Sequence, residues 1–201
     1  MNDTYFDEVV NLLEVVLSYA YKYDYSFEMV EKEISRSSFF QLAEKREGVI
    51  LPFLNENSLI NKIFGESIKE DKDITIYREC AWAAESYCHI QRETRLTFEA
   101  IFLYIPIKKM LQYFPMYHEM DFFHIVNEFS RLFIKSSTLS LLMENRKLSN
   151  HNVSKETGMS YASIFSYKKR RRDIKKMPAE SACMLANLFD VRIETILEFY
   201  I

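Results

Sequence analysis

The chain has 201 residues, of which 48% are hydrophobic, and a net charge of -3 at pH 7. This apolar share is enough for a buried core in one large domain or two small ones. No apolar run approaches the roughly 18 residues that a membrane-spanning helix needs, and no basic segment precedes an apolar stretch near Met1, so we expect a soluble, cytoplasmic protein with no membrane partner. Three glycines and four prolines allow few tight turns, which favours an all-α fold.

Apolar residues recur at helical spacing through most of the first 135 residues. They predict helices over residues 4–23, 26–34, from Ser37 or Ser38 onward, 57–64, 74–92, 97–107 and 121–135. Side chains that can accept a hydrogen bond from a helix N-terminus precede several of these segments, and the predicted N-caps are Asp3, Ser26 and Thr97. Together the segments predict a helical N-terminal domain of residues 1–135.

Breaks in this pattern predict where the helices end. Residues 48–52 contain Gly and Pro and are expected to end the third helix, while the polar residues 66–73 are expected to form a surface loop. Pro106 is expected to kink or restart the apolar 97–107 helix, because proline lacks the amide hydrogen. Pro115 is expected to end the turn that follows.

Charge is unevenly divided along the chain. Residues 136–201 contain 11 basic and 7 acidic side chains, whereas residues 1–135 contain 15 basic and 22 acidic ones. The last third is therefore positive and the remainder negative. A polyanion such as DNA would be attracted to the C-terminal part and repelled by the rest.

The cysteines and histidines do not form a ligand pattern. The three cysteines have no metal-ligand spacing and indicate buried thiols without a disulfide. His118, Glu119, Asp121 and His124 cluster in the sequence, but the six-residue separation of the two histidines matches no defined metal motif, so surface or capping roles are expected. No phosphate loop, nucleophile elbow or zinc-protease signature occurs, and we expect neither an enzyme nor a cofactor.

Residues 148–167 carry the one pattern that points to a function. Ser149 can cap a short helix with Val153 on its inner side, and Gly158 can supply the left-handed turn that follows. Ser160 can then cap a second helix with Ile164 and Tyr167 facing the core. Two helices joined by so short a turn must cross, which is the geometry of a helix-turn-helix.

This segment resembles the Cro/C1-type (XRE-like) helix-turn-helix of phage repressors and many bacterial regulators. The resemblance covers about residues 138–198 and predicts a five-helix DNA-binding domain at residues 136–201. Two features depart from the family pattern. Met143 stands where the family often has Arg or Lys, and the segment 170–177 is longer than usual and lacks a Gly.

The resemblance implies that residues 160–168 form a recognition helix in the major groove of double-stranded DNA. Base-facing positions would then be Tyr161, Ala162, Phe165 and Ser166. Contacts to the DNA backbone would come from Asn150, Ser160, Ser163, Lys168, Lys169, Arg170, Arg171, Arg172 and Lys175. No Arg or Gln lies among the base-facing residues to make bidentate contacts, so backbone contacts are expected to supply most of the affinity.

The sequence therefore predicts a transcriptional regulator, a repressor in the main hypothesis, that binds DNA as a homodimer. The aromatic N-terminal domain would serve dimerisation or sensing, with a pocket for a small ligand or peptide as a minority interpretation. The competing hypothesis is a protein-interaction adaptor, such as an antitoxin or a phage counter-defence factor, whose C-terminal domain binds a protein.

Overall fold

A computed structural model describes residues 3–45, 56–65 and 75–198, and every regular element in these ranges is helical. The helices are α1 (Asp3–Lys22), α2 (Phe27–Arg36), α3 (Ser38–Lys45), α4 (Glu56–Phe64), α5 (Arg78–Thr94), α6 (Phe98–Tyr104), α7 (Ile107–Tyr117), α8 (Phe122–Lys135), α9 (Thr138–Asn145), α10 (Asn150–Thr157), α11 (Tyr161–Lys168), α12 (Ala179–Phe189) and α13 (Ile193–Leu197). No helix within the described ranges is both long enough and apolar enough to cross a membrane. The all-α prediction is confirmed.

Most predicted helix starts are also confirmed. The Thr97 hydroxyl accepts a hydrogen bond from the Ala100 amide at 3.0 Å, and the Asp121 carboxylate caps α8 at the Phe123 amide. Ser26 precedes α2 as expected, but its hydroxyl donates to Glu28 instead of capping the backbone. The predicted Asp3 cap, the break at residues 48–52 and the loop at residues 66–73 lie outside the described side chains and segments.

The two prolines of the central region behave differently from each other. The sequence predicted that Pro106 either kinks or restarts the helix. In the structure Pro106 separates α6 from α7, so the helix restarts there. The prediction for Pro115 was wrong, because α7 continues through it to Tyr117. Pro115 lies in the last turn of α7 and cannot donate to the Leu111 carbonyl, but the bond from the His118 amide to the Phe114 carbonyl at 3.0 Å still closes the end of the helix.

The buried hydrophobic residues of the described ranges form two clusters. The first extends from Tyr5 to Phe129, and the second from Leu139 to Leu197. The gap between them contains the boundary predicted at residue 135. Leu103 on α6 packs against the second cluster and Leu141 on α9 packs against the first, so the two clusters meet at α6 and α9.

The first cluster is built around α1 and α5. Leu13, Val16 and Leu17 are fully buried on one face of α1, which packs against α5. Tyr87 of α5 is fully buried and donates its hydroxyl hydrogen to the Ile105 carbonyl at 2.7 Å. That bond satisfies a polar group in the core and fixes the end of α6 against α5.

A buried polar network joins the helices of the first cluster to those of the second. Glu44 at the end of α3 is 1% exposed, and both of its carboxylate oxygens accept from one guanidinium nitrogen of Arg192, at 2.9 and 2.7 Å. The amide of Phe98 donates to the same carboxylate at 2.6 Å. Nearby, Glu99 accepts from the Arg192 amide at 3.0 Å and from the Thr195 hydroxyl at 2.5 Å. The start of α13 is thereby attached to α3 and α6.

Buried and half-buried carboxyl groups of the N-terminal domain resist ionisation. Burial raises the pKa of Glu44 to about 7, although Arg192 and the Phe98 amide act in the opposite direction. Burial likewise raises the pKa of Glu31 to about 7, opposed by the Ile107 amide, which donates to its carboxylate at 2.6 Å. Burial also raises the pKa of Glu99. Between about pH 4.5 and 7 the folded chain therefore binds protons at Glu31 and Glu44 more tightly than the unfolded chain does.

The cysteines are free, as expected, but they are not all buried. Cys80 and Cys88 lie in the first cluster, where burial raises the pKa of the Cys80 thiol to about 12. Cys183 is exposed on α12. The prediction of buried thiols was therefore wrong for Cys183, which lies on the outer face of a helix whose inner face is formed by Ala182, Leu185 and Ala186.

Removing the Arg192 side chain is expected to lower the free energy of unfolding. Arg192→Ala leaves the Glu44 carboxylate buried without its cation, which costs about 3 kcal/mol at pH 8. The thermal midpoint should fall by roughly 6–12 °C in a calorimetric scan. Arg36→Ala is the control, because Arg36 pairs with Asp190 at 2.8 Å on the surface and such pairs are worth about 1 kcal/mol or less. Equal effects of the two substitutions would contradict the role given to the buried network.

Stability is expected to decrease as pH rises from about 4.5 to 7. Because the folded pKa of Glu31 is raised above its unfolded value, the folded state binds the proton more tightly in this window. Glu31→Gln keeps an acceptor for the Ile107 amide and removes the charge, so it should recover up to about 3 kcal/mol at pH 8 and little at pH 4.5. Thermal midpoints measured across this range provide the test.

Glu28→Gln is the matched control for Glu31, since Glu28 lies on the same helix and its hydrogen bond with Ser26 lowers its pKa. This control should not flatten the pH profile. An unchanged profile in Glu31→Gln would show that Glu31 does not hold a proton in the fold.

Candidate nucleic-acid interface

The first helix of the predicted motif is α10, and its start is fixed by a capping box. The Ser149 hydroxyl accepts from the Asn152 amide at 3.1 Å, while the Asn152 side chain accepts from the Ser149 amide at 3.3 Å. These bonds satisfy amides that a helix start leaves open. Val153 is fully buried on the inner side of α10, as predicted.

The turn after α10 depends on Gly158. Its φ of 70° lies in the left-handed region that glycine reaches without steric cost, and its amide donates to the Ser154 carbonyl at 2.9 Å. The Ser154 hydroxyl reaches across the turn to the Met159 carbonyl at 2.6 Å. The predicted left-handed turn is confirmed, and Ser154 holds it from the other side.

The second helix of the motif is α11. The Ser160 hydroxyl accepts from the Ser163 amide at 3.1 Å, which confirms the predicted cap. Ile164 is fully buried and Tyr167 is 6% exposed, and both pack in the second cluster. The core side of α11 is therefore the predicted one, and the opposite face remains at the surface.

The four residues predicted to face bases lie together on α11, because Tyr161 and Phe165, and Ala162 and Ser166, are four residues apart and such positions are neighbours on a helix surface. Tyr161 is 56% exposed, and Ala162 is exposed beside it. Phe165 and Ser166 are half-buried, and the Ser166 hydroxyl donates to the Ala162 carbonyl at 2.7 Å. The face presents an aromatic ring and a methyl group, with one hydroxyl hydrogen already used by the backbone.

The polar side chains that are predicted to contact DNA at the two helix starts partly form hydrogen bonds within the protein. The Ser160 hydroxyl donates to the Ser163 hydroxyl at 2.9 Å, so neither is an unused group. Asn150 is half-buried in the first turn of α10, and its side-chain oxygen is buried without a hydrogen-bond partner among the described residues. Asn150 thus lies at the helix N-terminus, as the resemblance requires.

Cations follow α11 directly. Lys169, Arg171, Arg172 and Lys175 are exposed, and Lys168 is half-buried. In the ranges that the structure describes, no acidic side chain forms a salt bridge with any of these five. The Arg171 guanidinium lies 4.8 Å from the Phe165 ring centroid, which holds one cation next to the exposed face of α11.

Arg170 differs from its neighbours. Its guanidinium donates to Glu198 at 2.6 Å and to the carbonyls of Phe133 and Ser136 at 2.6 and 2.9 Å. Glu198 is 9% exposed and also accepts from the Thr138 amide at 2.7 Å. These bonds connect the end of α11 to the end of α8. That Arg170 contacts the DNA backbone stays a prediction, but the structure already engages both of its terminal guanidinium nitrogens within the protein.

The segment after α11 makes a left-handed turn without a glycine. Arg170 itself adopts the left-handed conformation, with a φ of 53°, and a 3-10 turn at Ile174–Lys176 completes the longer loop. This conformation costs a non-glycine residue about 1 kcal/mol or more. The hydrogen-bond partners of the Arg170 guanidinium, Tyr104 included at 3.4 Å, offset that cost.

The residues that orient this domain are not signalled by any local pattern in the sequence. Glu44 and Arg192 are separated by 148 positions, and Arg170 and Glu198 by 28, so no local spacing relates them. Met143 is 1% exposed, which explains how an apolar residue can stand at a position that is often basic in the resembled family.

The histidine cluster does not form a metal site in the described part of the chain, where no group of three potential ligands converges. Asp121 caps α8, and His118 bonds through its ring nitrogen to the Phe114 carbonyl at 2.9 Å. The sequence favoured surface or capping roles for these residues, and the capping role is confirmed for Asp121.

Comparison with protein-family models, with curated proteins and with solved structures finds no match for the chain.

Arg170 and Arg171 provide a matched pair of charge deletions. Arg170→Ala removes the bonds to Glu198 and to two carbonyls, and should lower the stability by about 2–4 kcal/mol because Glu198 is left buried without a cation. Arg171→Ala removes an exposed cation and should change stability by about 0.5 kcal/mol or less. Chemical denaturation of both variants measures the difference. Equal stabilities would contradict the division of roles within the basic run.

Proposed function

We propose that the protein is a sequence-selective DNA-binding transcriptional regulator, acting as a repressor in the cytoplasm. The observation that carries the proposal is the exposed face of α11, flanked by cations that form no salt bridge with any acidic side chain of the described residues, namely Lys168, Lys169, Arg171, Arg172 and Lys175. This face lies on the outside of the second cluster, opposite Ile164 and Tyr167. We propose no catalytic role and no cofactor.

Phosphate contacts supply most of the affinity in this proposal. Lys169, Arg171 and Arg172 lie within four residues of the end of α11, and cations in this position can contact the backbone that borders the major groove. Each phosphate neutralised releases condensed counterions, which makes such binding steeply dependent on salt. Asn150 and the start of α10 offer a further phosphate contact, since helix N-termini favour anions.

Sequence selectivity would come from a small surface. The Tyr161 ring and the Ala162 methyl group suit apolar contact with a thymine methyl, and the remaining hydroxyls can accept from either strand. No bidentate donor is present among the four residues of this face. We therefore propose that DNA shape and deformability contribute to recognition alongside these contacts.

Selection of duplexes from a random pool, followed by anisotropy titration of the enriched duplex, tests the proposal. The full chain should enrich a defined motif, and Tyr161→Ala should lower the preference for that motif over random DNA by about 5- to 100-fold, because one apolar base contact is lost. Failure to enrich any motif would contradict sequence-selective binding.

The salt dependence of the same titration tests the cations separately. Arg171→Ala combined with Arg172→Ala should reduce the slope of log affinity against log salt by about 1.8, since each phosphate contributes about 0.9. Lys108→Ala combined with Lys109→Ala is the control, because it removes two exposed charges from α7 in the N-terminal domain. An equal reduction by both pairs would mean that total charge, and not this run, determines binding.

A protein-interaction adaptor, such as an antitoxin or a phage counter-defence factor, is the second candidate. The observation that favours it is the apolar character of the α11 face, where Tyr161 and Ala162 are exposed and the Ser166 hydroxyl is bonded to the backbone. An adaptor of this kind would co-purify with one protein partner through Tyr161 and would enrich no DNA motif. The selection experiment therefore separates the two candidates.

A further inference from the structure

Helix α8 exposes two large apolar side chains at its two ends. Phe123 is 75% exposed and Ile134 is 76% exposed, the highest values among the large hydrophobic residues that the structure describes. Their neighbours Ile125, Val126 and Phe129 are buried in the first cluster, so α8 has a normal core face and a second apolar feature on its outer side. Burial of such side chains on association is favourable.

The two residues lie on the same side of α8. They are 11 residues apart, which is close to three helical turns and corresponds to about 16 Å along the axis. Asn127 and Ser130 occupy the same side between them, because they fall four and seven residues after Phe123. The outer face of α8 is thus apolar at both ends and polar in the middle.

A shallow hollow lies on the same helix. It has a volume of about 440 Å³ and is lined by His124, Asn127, Glu128, Ser130, Arg131 and Ile134. Phe123 does not line it. The face therefore presents a projecting ring near one end and a concavity that includes Ile134 towards the other.

We propose that a second copy of this chain binds this face, with the two α8 helices antiparallel about a twofold axis near residues 128–129. In that arrangement Phe123 of each copy covers the partner's Ile134 and enters the edge of the partner's hollow. A twofold interface requires such a self-complementary surface, with a feature at one end matched by its counterpart at the other. A parallel pair would instead place Phe123 against Phe123 and leave both hollows unfilled.

The charged residues beside this outer face of α8 fit the same arrangement. Glu128 and Arg131 form a salt bridge at 2.8 Å within one chain, on the flank of the exposed face. The antiparallel pair brings Glu128 of one copy next to the partner's Arg131, and the reverse. The two copies together then form a neutral group of two carboxylates and two guanidinium groups midway along one flank of the interface.

This inference extends the proposed function, since it names the partner and surface of the DNA-binding dimer. Arg170 and Ser137 connect the end of α8 to the end of α11, through the Phe133 carbonyl and the Lys168 carbonyl respectively. An antiparallel α8 pair has its C-terminal ends at opposite ends of the interface. The two α11 helices are therefore held apart by a fixed structure, as two half-sites on one duplex require.

Cysteine cross-linking of the full chain tests the arrangement. In a Cys183→Ser background, an equimolar mixture of Phe123→Cys and Ile134→Cys chains should form a disulfide-linked dimer on mild oxidation. Phe123→Cys alone should cross-link at least about tenfold less, since the two introduced thiols would lie about 16 Å apart along the helix pair. Cross-linking of Phe123→Cys with itself at equal or higher yield would overturn the antiparallel pairing.

Sedimentation equilibrium without DNA tests whether the face is used at all. The unmodified chain should dimerise, and Phe123→Ser combined with Ile134→Ser should raise the dimer dissociation constant at least about 30-fold. Ile76→Ser is the control, because Ile76 is an exposed apolar residue outside α8 and should leave the constant unchanged. Circular dichroism confirms that each variant is folded.

The outcomes distinguish this inference from the proposed function. A monomeric unmodified chain, or equal weakening by Ile76→Ser, would overturn the α8 dimer while leaving DNA binding to be judged by its own titration. Arg171→Ala combined with Arg172→Ala should remain dimeric even as DNA affinity falls. Loss of the dimer in that variant would contradict the separation of the two surfaces.

Discussion

The buried carboxylate of Glu44 and the guanidinium of Arg192 determine how the two parts of this molecule meet. Taking both charges out of water costs several kcal/mol, so the pair adds little net stability over an apolar contact of the same shape. Its geometry matters more, because the Phe98 amide, Glu99 and Thr195 can all form their hydrogen bonds in only one relative placement of α3, α6 and α13. The DNA-binding candidate is consequently presented at a defined angle to the helical domain that precedes it.

A second constraint of the same kind acts where α8 meets the segment that follows α11. Arg170 belongs to the basic run in the sequence, but its guanidinium bonds to Glu198 and to carbonyls at the end of α8. Its neighbours Lys169 and Arg171 are exposed at the surface. Within one run of five basic residues, Arg170 is bonded inside the protein while Lys169 and Arg171 face solvent. The bonds of Arg170 also connect the end of α11 to α8. Helix α8 carries Phe123 and Ile134, the two most exposed large apolar side chains of the described residues.

Local chemistry made much of this structure predictable. Caps such as Thr97, the left-handed turn at Gly158 and the core positions Val153 and Ile164 follow from residue type and helical spacing over a few positions. Contacts between distant residues were not predictable, because nothing in one sequence relates Glu44 to Arg192 or Arg170 to Glu198. For the same reason the sequence predicted one role, contact with the DNA backbone, for all five residues of the basic run. Pro115 was misjudged because the bonds made by the residues around it, such as His118 to the Phe114 carbonyl, keep the helix closed despite the missing amide hydrogen.

Hydrogen–deuterium exchange of the full chain, with and without a duplex enriched from a random pool, tests most directly whether α10 and α11 form the DNA-binding surface. Backbone amides become protected where a bound duplex excludes solvent or stabilises local structure. We expect new protection over residues 149–152 and 160–176, and unchanged exchange around Glu44 and Arg192, whose network is already formed. Protection confined to residues 3–45 or 75–135, or none at any DNA concentration that saturates an anisotropy titration, would contradict this assignment.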